Sequence, residues 1–303
     1  MKQLHQRILV GSILLLVCVG LLYLDFLLGV FYCYYALAAC LVAVALYEFY
    51  GLTEARGIFP HKYLGVFCGT ILAVSSKELW ARLFGLDIQT ARAVATGVSL
   101  FAISAVIIGV FVQQILKRCR NDAFIDIAAT LFGLSYIAFL GSFFVKIRHL
   151  YDGTGPKFEL SNYLFVLLFV LGCKGGDIAA YLVGRKFGRH RLIPEISPNK
   201  SIEGAIAALV CGSLAGFTFG LAFGSWLHFR WYYGIIFGFV LASAGLVGDL
   251  AESLTKRKLE VKDSANLIPT FGGVLDVVDA LLFAAPAVYY LWVILDAVGG
   301  FAA

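Results

Sequence analysis

Long apolar stretches alternate with short polar segments along almost the whole chain. An α-helix needs about 20 consecutive apolar residues to cross the hydrocarbon core of a bilayer. Stretches of about that length recur along the chain, and each predicts a transmembrane helix. The nine predicted spans are 8–29, 31–52, 63–82, 93–116, 124–145, 161–184, 204–225, 231–252 and 274–297. The pattern therefore predicts an all-α, polytopic integral membrane protein with about nine transmembrane helices.

The composition excludes an ordinary water-soluble domain. Of the 303 residues, 61% are hydrophobic and 14% are charged, whereas soluble domains carry about 25% charged residues. The first apolar run follows Lys2 and Arg7, as in a signal peptide, but it is too long for a signal-peptide core and no small-residue cleavage site follows it. We therefore expect this run to be a retained transmembrane helix.

Basic residues mark one side of the predicted helices. If the spans alternate in direction from a cytoplasmic N-terminus, most Lys and Arg of the connecting segments fall on the cytoplasmic side. The positive-inside rule then predicts a cytoplasmic N-terminus and, with nine spans, a C-terminus on the other side. The net charge of +5 suits anionic lipids and anionic substrates, although positive-inside topology alone would produce it.

The two halves of the chain differ in their polar residues. Residues 1–150 consist of plain apolar spans and short loops, and we expect them to form an N-terminal transmembrane scaffold. Residues 151–303 combine spans with ionisable side chains and polar loops. We therefore predict that the C-terminal transmembrane region, with its cytoplasmic loops, is the catalytic one.

Ionisable residues occur inside the sixth predicted span. In "GCKGGDIAAYLVGRKFGRHR", Lys174 and Asp177 share one helical face, and Tyr181 lies one turn further on. Charges at membrane depth are unfavourable by at least roughly 2.5–3.5 kcal/mol each, so they usually face a partner or a wet cavity. The pair therefore indicates either a functional site or a local ion pair that only holds helices together.

The loop after this span predicts a helix start beside a cation. In "SPNKSIEG", Ser201 is placed to cap the seventh span, and Glu203 and Gly204 open it. Free amide groups at a helix start, next to Lys200, are typical of an anion site. A solvated positive-inside loop is the alternative.

The most charged stretch, "GDLAESLTKRKLEVKDSANLIPTFGGVLDVVDALLFAAP", runs from Gly248 to Pro286. Asp249 lies near the end of the eighth span, and Ser253 with Lys256 or Arg257 shares its face. One turn into the ninth span, residues 276 and 279 are both aspartates on one side of the helix. Carboxylates on two helices near one membrane surface match the oxygen ligands of Mg²⁺, and nearby Lys and Arg match phosphate oxygens. The pattern indicates phosphoryl or nucleotidyl transfer; the alternative is that the acids only neutralise the adjacent basic residues.

This order of residues resembles the phosphatidate cytidylyltransferases, membrane enzymes that make CDP-diacylglycerol from CTP and phosphatidate. The family pattern is Gly-Asp, Ser, Lys-Arg, Lys-Asp, a turn with Pro, Gly-Gly, and two Asp three residues apart. Its counterparts here are Gly248, Asp249, Ser253, Lys256, Arg257, Lys262, Asp263, Pro269, Gly272, Gly273, Asp276 and Asp279. Two upstream segments are also similar and supply Asp177, Tyr181, Gly184, Lys186, Gly188, Ser197, Pro198, Lys200, Ser201, Glu203 and Gly204.

The resemblance implies a set of catalytic and binding residues. Mg²⁺ on the triphosphate would be held by Asp249, Asp276 and Asp279, and Asp263 is a further acid of the site. Lys256, Arg257 and Lys262 would neutralise phosphate oxygens, and Ser253 would donate a hydrogen bond. The residues expected to bind substrate are Asp177, Tyr181, Lys186, Ser197, Pro198, Lys200, Ser201, Glu203, Gly204, Gly272 and Gly273.

The resemblance also implies partners and a location. The substrates would be CTP and membrane phosphatidate, with no nucleic acid, at the cytoplasmic side of a cell inner membrane. Whether a second metal ion binds and whether the chain forms a homodimer stay open. Two positions depart from the commonest family pattern: Phe271 replaces a histidine before the two glycines, and Val277 replaces an arginine after the first Asp of the final pair.

Two other functions compete with this prediction. Related enzymes use CTP as polyprenol or phytol kinases, or transfer a cytidylyl group to another lipid. A secondary transporter could instead use Lys174, Asp177 and Asp276 as an ion or proton relay. Against a transporter, the spans show no inverted repeat and the charges gather near one surface.

Overall fold

The protein is built almost entirely from helices. The computed structural model describes residues 2–116, 122–151, 156–227, 229–261, 264–265 and 272–298, with the backbone alone at 2–12, 14–15 and 156–159. In chain order the elements are α1 (Lys2–Leu28), α2 (Tyr32–Glu54), α3 (Lys62–Val74), α4 (Lys77–Phe84), α5 (Ile88–Leu116), α6 (Ala123–Gly133), a π-helical segment (Leu134–Phe139), α7 (Leu140–Ile147), α8 (Pro156–Phe187), β1 (Arg191–Ile193), β2 (Ser197–Ser201), α9 (Ile202–Phe223), α10 (Trp231–Lys258) and α11 (Val274–Ala297).

The helices have the length and surface of membrane spans. Within the described residues, seven helical segments are long and apolar enough to cross a bilayer, and one of them combines α6, the π-helical segment and α7. An eighth span results if α3 and α4 also count as one. Large apolar side chains face outward, as in the most apolar part of α5, where 17% of the residues are buried. A lipid environment accounts for that exposure, and the chain is a polytopic all-α membrane protein.

The third predicted span differs most from the structure. It was expected to be continuous, but α3 and α4 meet at an angle of 84°. Ser76 has an extended backbone, and its hydroxyl oxygen accepts the Leu79 amide at 3.2 Å, so it caps a new helix. For the first predicted span, the described side chains cover only a shorter apolar helix, Leu16–Leu28. The number nine and the cytoplasmic N-terminus therefore stay predictions.

The chain divides into two compact units. The first comprises Met1–Lys146 together with Leu259–Val278, and the second comprises Ile147–Lys258 together with Asp279–Ala303. The assignment of scaffold and catalytic roles to residues 1–150 and 151–303 stays a prediction.

The first unit contains a carboxylate that caps a helix. Asp25 of α1 is fully buried, and its two oxygens accept the amides of Cys33 at 3.0 Å and Tyr34 at 2.8 Å. These amides belong to the first turn of α2, where they lack partners within the helix. Asp25 therefore fixes the start of α2.

The second unit packs α9 against α10 through glycines. A Cβ at Gly216 would overlap the carbonyl of Gly234, and one at Gly212 would lie 2.7 Å from the oxygen of Gly238. Small residues let helix backbones approach closely where lipid supplies no hydrophobic drive for association. This close packing brings the polar ends of the two helices into one unit.

A short antiparallel hairpin precedes α9. Its strands β1 and β2 pair Arg191 with Ser201 and Ile193 with Ser197, with an irregularity in register between the two pairs. The sequence predicted a loop and turn here, and the hairpin contains the only β-strands among the elements of the described residues. Because Pro194 and Pro198 prevent a helix, the backbone groups pair across the strands instead.

We predict that Gly216→Ala destabilises the second unit. The added methyl group would collide with the Gly234 carbonyl, and such overpacking lowers stability by about 1–3 kcal/mol. The measurement is the free energy of unfolding in mixed micelles of detergent and SDS. Gly97→Ala in α5 is the matched control, since its Cβ meets no atom within 4 Å. Equal stability of the two variants would contradict the close-packed arrangement.

Candidate active site

Three carboxylates converge in the second unit. Asp249 and Glu252 project from α10, three residues apart on one helical face, and Asp279 projects from α11. One ligand oxygen from each lies within 4.8 Å of the others. A Cβ at Gly248 would lie 2.5 Å from the carbonyl oxygen of Asp279, so that glycine permits the two helices to approach. The cluster could hold a metal ion.

Two of the three carboxylates have a lysine partner. The ammonium of Lys200, on β2, lies 2.7 Å from Asp249, and that of Lys256, on α10, lies 2.9 Å from Glu252. Both lysine side chains are largely buried, with 20% and 15% exposed. Neighbouring positive charge offsets part of the repulsion among the acids.

Asp279 differs from its two neighbours. It is 5% exposed, one of its oxygens accepts the Ala280 amide at 2.6 Å, and within the described part of the chain it makes no ion pair. A buried ionised carboxylate is unfavourable unless it is paired or coordinates a metal. The donor set of hard carboxylate oxygens, in which Asp279 makes no ion pair within the described residues, therefore fits a divalent metal such as Mg²⁺.

The ion pair predicted in the sixth span is present beside this cluster. Lys174 lies 3.3 Å from Asp177 on α8, and each is about one-third exposed. Lys174 also interacts electrostatically with Asp279, and Asp177 with Asp249 and Lys200. The pair thus belongs to the same charged network as the three acids, which a purely local ion pair would not require.

Asp276 has a different environment from the one expected for a metal ligand. One of its oxygens accepts the amides of Gly273 at 2.6 Å and Ser264 at 3.2 Å. Gly273 directly precedes α11 and Asp276 is the third residue of that helix, so this is the backbone half of a capping box. The predicted role of Asp276 in metal binding stays a prediction.

The two motif glycines have conformational reasons to be glycine. Gly272 has φ +99°, a backbone conformation that side chains with a Cβ rarely adopt. A Cβ at Gly273 would collide with the carboxylate of Glu48 and with the hydroxyl of Ser264. These local requirements account for both glycines, and their contact with substrate stays a prediction.

The helix start after the hairpin is confirmed. The hydroxyl oxygen of Ser201 accepts the Gly204 amide at 3.1 Å, and α9 begins at the next residue. Glu203, in the first turn of α9, accepts from the ring of His190 at 2.7 Å. Gly204 approaches the preceding helix, since a Cβ there would lie 2.8 Å from the Ala180 carbonyl oxygen.

The remaining predicted residues lie at or outside the edge of the cluster. Tyr181 and Lys186 are exposed on the last turns of α8, and Pro198 is exposed on β2 beside the half-buried Ser197. Arg257 donates to the carbonyl of Ile196, next to β2, at 3.3 Å. Ser253 is half-buried on α10. The predicted residues Lys262, Asp263, Pro269 and Phe271 lie outside the described residues.

Sequence reasoning missed two acids. Glu252 belongs to the carboxylate cluster, and its spacing of three from Asp249 was the available signal. Glu48 lies in α2 and accepts amides at the start of α11. No local pattern connects Glu48 with a helix that begins more than two hundred residues later.

Comparison with known proteins gives consistent matches. A model of the cytidylyltransferase family matches residues 5–295. A phosphatidate cytidylyltransferase of Synechocystis sp. is 36% identical over 193 residues, which are 56% of this chain and 63% of that protein. The Bacillus subtilis phosphatidate cytidylyltransferase is 29% identical over 296 residues, 96% of this chain and 98% of that protein.

A third relative lies between these two in coverage. The phosphatidate cytidylyltransferase of Staphylococcus aureus is 31% identical over 238 residues, 74% of this chain and 87% of that protein. The match thus spans less than two thirds of the Synechocystis protein's own length, but nearly the whole of the Bacillus protein.

We predict that Glu252 takes part in divalent-cation binding. Glu252→Gln removes one of the three charges, and we expect it to weaken the binding of Mn²⁺, used as a paramagnetic probe, by at least about tenfold. Titration of purified protein by electron paramagnetic resonance gives the dissociation constant. The opposite pattern, in which Glu252→Gln binds Mn²⁺ normally and Asp276→Asn does not, would favour the ligand set expected from the sequence.

Proposed function

Because the chain belongs to the cytidylyltransferase family, we propose that it transfers CMP from CTP to phosphatidate, giving CDP-diacylglycerol and pyrophosphate. It is a nucleotidyltransferase, and the product is a precursor in phospholipid biosynthesis. Relatives named for this reaction match across most of the chain. The structural observation that carries the proposal is the cluster of the partly exposed Asp249 with the buried Glu252 and Asp279, together with its lysine partners.

The chemistry requires no covalent enzyme intermediate. An oxygen of the phosphatidate phosphate attacks the α-phosphorus of CTP, a new P–O bond forms, and the bond to the bridging oxygen of pyrophosphate breaks. The second pKa of a phosphate monoester is about 6, so the nucleophile is largely ionised near neutral pH. A strong general base is therefore unnecessary, which agrees with Phe271 at the position of the usual family histidine.

Positioning and charge compensation then account for catalysis. Asp249, Glu252 and Asp279 would hold Mg²⁺, which when bound neutralises triphosphate oxygens; Asp276 and Asp263 are further candidate acids. Lys200 and Lys256, now paired with carboxylates, would share their charge with phosphate oxygens, as would Arg257 and Lys262. Fixed charges aimed at the developing negative charge lower the barrier without reorganising during the reaction.

The membrane places constraints on substrate entry. The chain is a multi-pass membrane protein, so the acyl chains of phosphatidate can stay in the bilayer while its headgroup reaches the acids. We place the site at the cytoplasmic side of the bacterial inner membrane, where CTP is available. The concentration of Lys and Arg around the hairpin and in the last turn of α10 supports that side.

The nearest alternative is a CTP-dependent lipid kinase. It would use the same acids and lysines but transfer the γ-phosphoryl group. The names and coverage of the relatives favour cytidylyl transfer. The two reactions differ in the phosphate of CTP that enters the lipid product, which is the α-phosphate in cytidylyl transfer and the γ-phosphate in the kinase reaction.

We predict that pyrophosphate release from CTP depends on both phosphatidate and Mg²⁺. With purified protein in mixed micelles, label from α-phosphate CTP should enter the lipid fraction, and label from γ-phosphate CTP should leave as pyrophosphate. Retention of the γ-label in lipid would identify a kinase. If substrate instead crosses the membrane of proteoliposomes and no pyrophosphate is released from CTP, the result would favour the transporter alternative.

We predict that Asp249→Asn lowers the turnover number at least about 10²-fold, because it removes a carboxylate of the cluster and the partner of Lys200. The assay is labelled CDP-diacylglycerol formation at saturating Mg²⁺. Asp87→Asn is the control: Asp87 accepts the amides of Gln89 and Thr90 at the start of α5, and asparagine caps helices equally well. Near-normal turnover of Asp249→Asn would refute this site.

We predict opposite locations for the two termini. With nine spans and a cytoplasmic N-terminus, alkaline phosphatase fused after the last residue should be active in a bacterial host, and a fluorescent protein fused before the first should fluoresce. The reverse result for the C-terminal fusion would mean an even number of spans, which the count of eight in the described residues allows.

A further inference from the structure

Two residues in or just after the last turns of α2 contact the segment Leu259–Val278, one at its first residues and one near its end. Glu48 lies in the last third of α2, and Arg56 follows two residues after its final residue, Glu54. Glu48 bonds to the start of α11, and Arg56 bonds to the first two residues after α10. All of these residues belong to the first unit. Residues eight apart in the N-terminal half thus hold both ends of a segment from the C-terminal half.

Glu48 makes a two-pronged contact with the helix start. One oxygen accepts the Val274 amide at 2.9 Å, and the other accepts the Leu275 amide at 2.8 Å. Its side chain is 5% exposed, and within the described residues it makes no ion pair. The partial positive charge of the helix start is therefore its counter-charge. A buried carboxylate held in this way specifies the position and direction of the helix that it contacts.

Three successive amides at the start of α11, those of Gly273, Val274 and Leu275, bond to carboxylates of the chain itself. Asp276 accepts the Gly273 amide, and Glu48 accepts those of Val274 and Leu275. Phosphate commonly binds free amides at a helix start, but these three are already engaged. The contact therefore fixes the helix, and these three amides already have partners within the protein.

Arg56 holds the other end of the segment through its whole guanidinium group. Its Nε donates to the Leu259 carbonyl, and its two terminal nitrogens bond to Glu260, one to the carbonyl at 2.6 Å and one to the carboxylate at 2.8 Å. Glu260 has φ +50°, an uncommon conformation for a residue with a Cβ. A planar, multiply bonded guanidinium is well suited to hold such a backbone, and lysine could not replace its geometry.

We propose that Glu48 and Arg56 are positioning residues of the cytidylyltransferase reaction. They hold the two ends of Leu259–Val278 so that α11, which carries Asp276 and, one turn later, Asp279, keeps a single placement. This inference rests on the proposed function. Catalytic groups must be held within about 0.5 Å of their productive geometry, and the N-terminal helices would then contribute directly to turnover.

Glu48→Gln tests the proposal. The amide side chain offers one acceptor oxygen and turns its NH₂ toward the second helix amide, so one of the two bonds is lost. We expect kcat for CDP-diacylglycerol formation to fall about 10²-fold, with the KM for CTP changed less than about threefold. Hydrogen exchange, followed by mass spectrometry, should become faster at Val274 and Leu275 and stay unchanged in α9 and α10.

Glu54→Gln is the matched control. It makes the same substitution on the same helix, but the carboxylate of Glu54 pairs with Lys62 at 3.2 Å. It should leave kcat and the exchange of α11 unchanged. Glu48→Gln with wild-type kcat would overturn the proposal, as would a loss of kcat accompanied by faster exchange in every helix, which would indicate general unfolding.

Arg56→Lys provides a second variant that keeps the charge. It should lower kcat at least about tenfold, and the double variant with Glu48→Gln should lose less than the product of the two single losses, because both residues act through one segment. Multiplicative losses would refute a shared role. A wild-type protein that forms no CDP-diacylglycerol would refute the proposed function instead, and hydrogen exchange alone would then decide whether Glu48 fixes α11.

Discussion

The mutual repulsion of three carboxylates is the constraint on which the site depends. Asp249, Glu252 and Asp279 place their oxygens within 4.8 Å of one another in a largely buried setting. Lys200 and Lys256 pair with two of the acids, whereas Asp279 makes no ion pair within the described residues and interacts electrostatically with Lys174. In this network the four acids, Asp177 included, outnumber the three lysines, and a divalent metal that arrives with an anionic substrate balances the charge of both.

Close helix packing makes this concentration of charge compatible with a membrane. In lipid, polar groups must be satisfied within the protein. Glycines on α9 and α10 allow backbones to touch, and Gly248 gives α10 the same access to α11 beside the acids. The small residues of the second unit thus permit the close helix contacts that bring the acids of α10 and Asp279 together.

The sequence predicted the features that depend on local pattern. Span-length apolar helices, the Ser201 cap and the Lys174–Asp177 pair all follow from spacing along one helix or turn. The bend after α3 was missed because the apolar pattern of the span outweighed the capping signal of Ser76. Glu252 escaped notice because the family pattern does not include it, and the pairing of Lys200 with Asp249 joins elements far apart in the chain.

Long-range polar contacts connect helices of the N-terminal half, which the sequence predicts to be a scaffold, with helix starts elsewhere in the chain. Asp25 and Glu48 are both buried carboxylates whose oxygens accept amides in the first turn of a helix, α2 in one case and α11 in the other. In a membrane protein such contacts are strong determinants of placement, because water does not compete for the same groups. Asp25 is the only acid of the predicted span 8–29, and Glu48 is the only acid of the predicted span 31–52, so hydropathy alone marks both spans as scaffold. The acids most informative about the architecture are therefore the isolated ones, and Glu48 links the N-terminal helices to the motif-bearing helix α11.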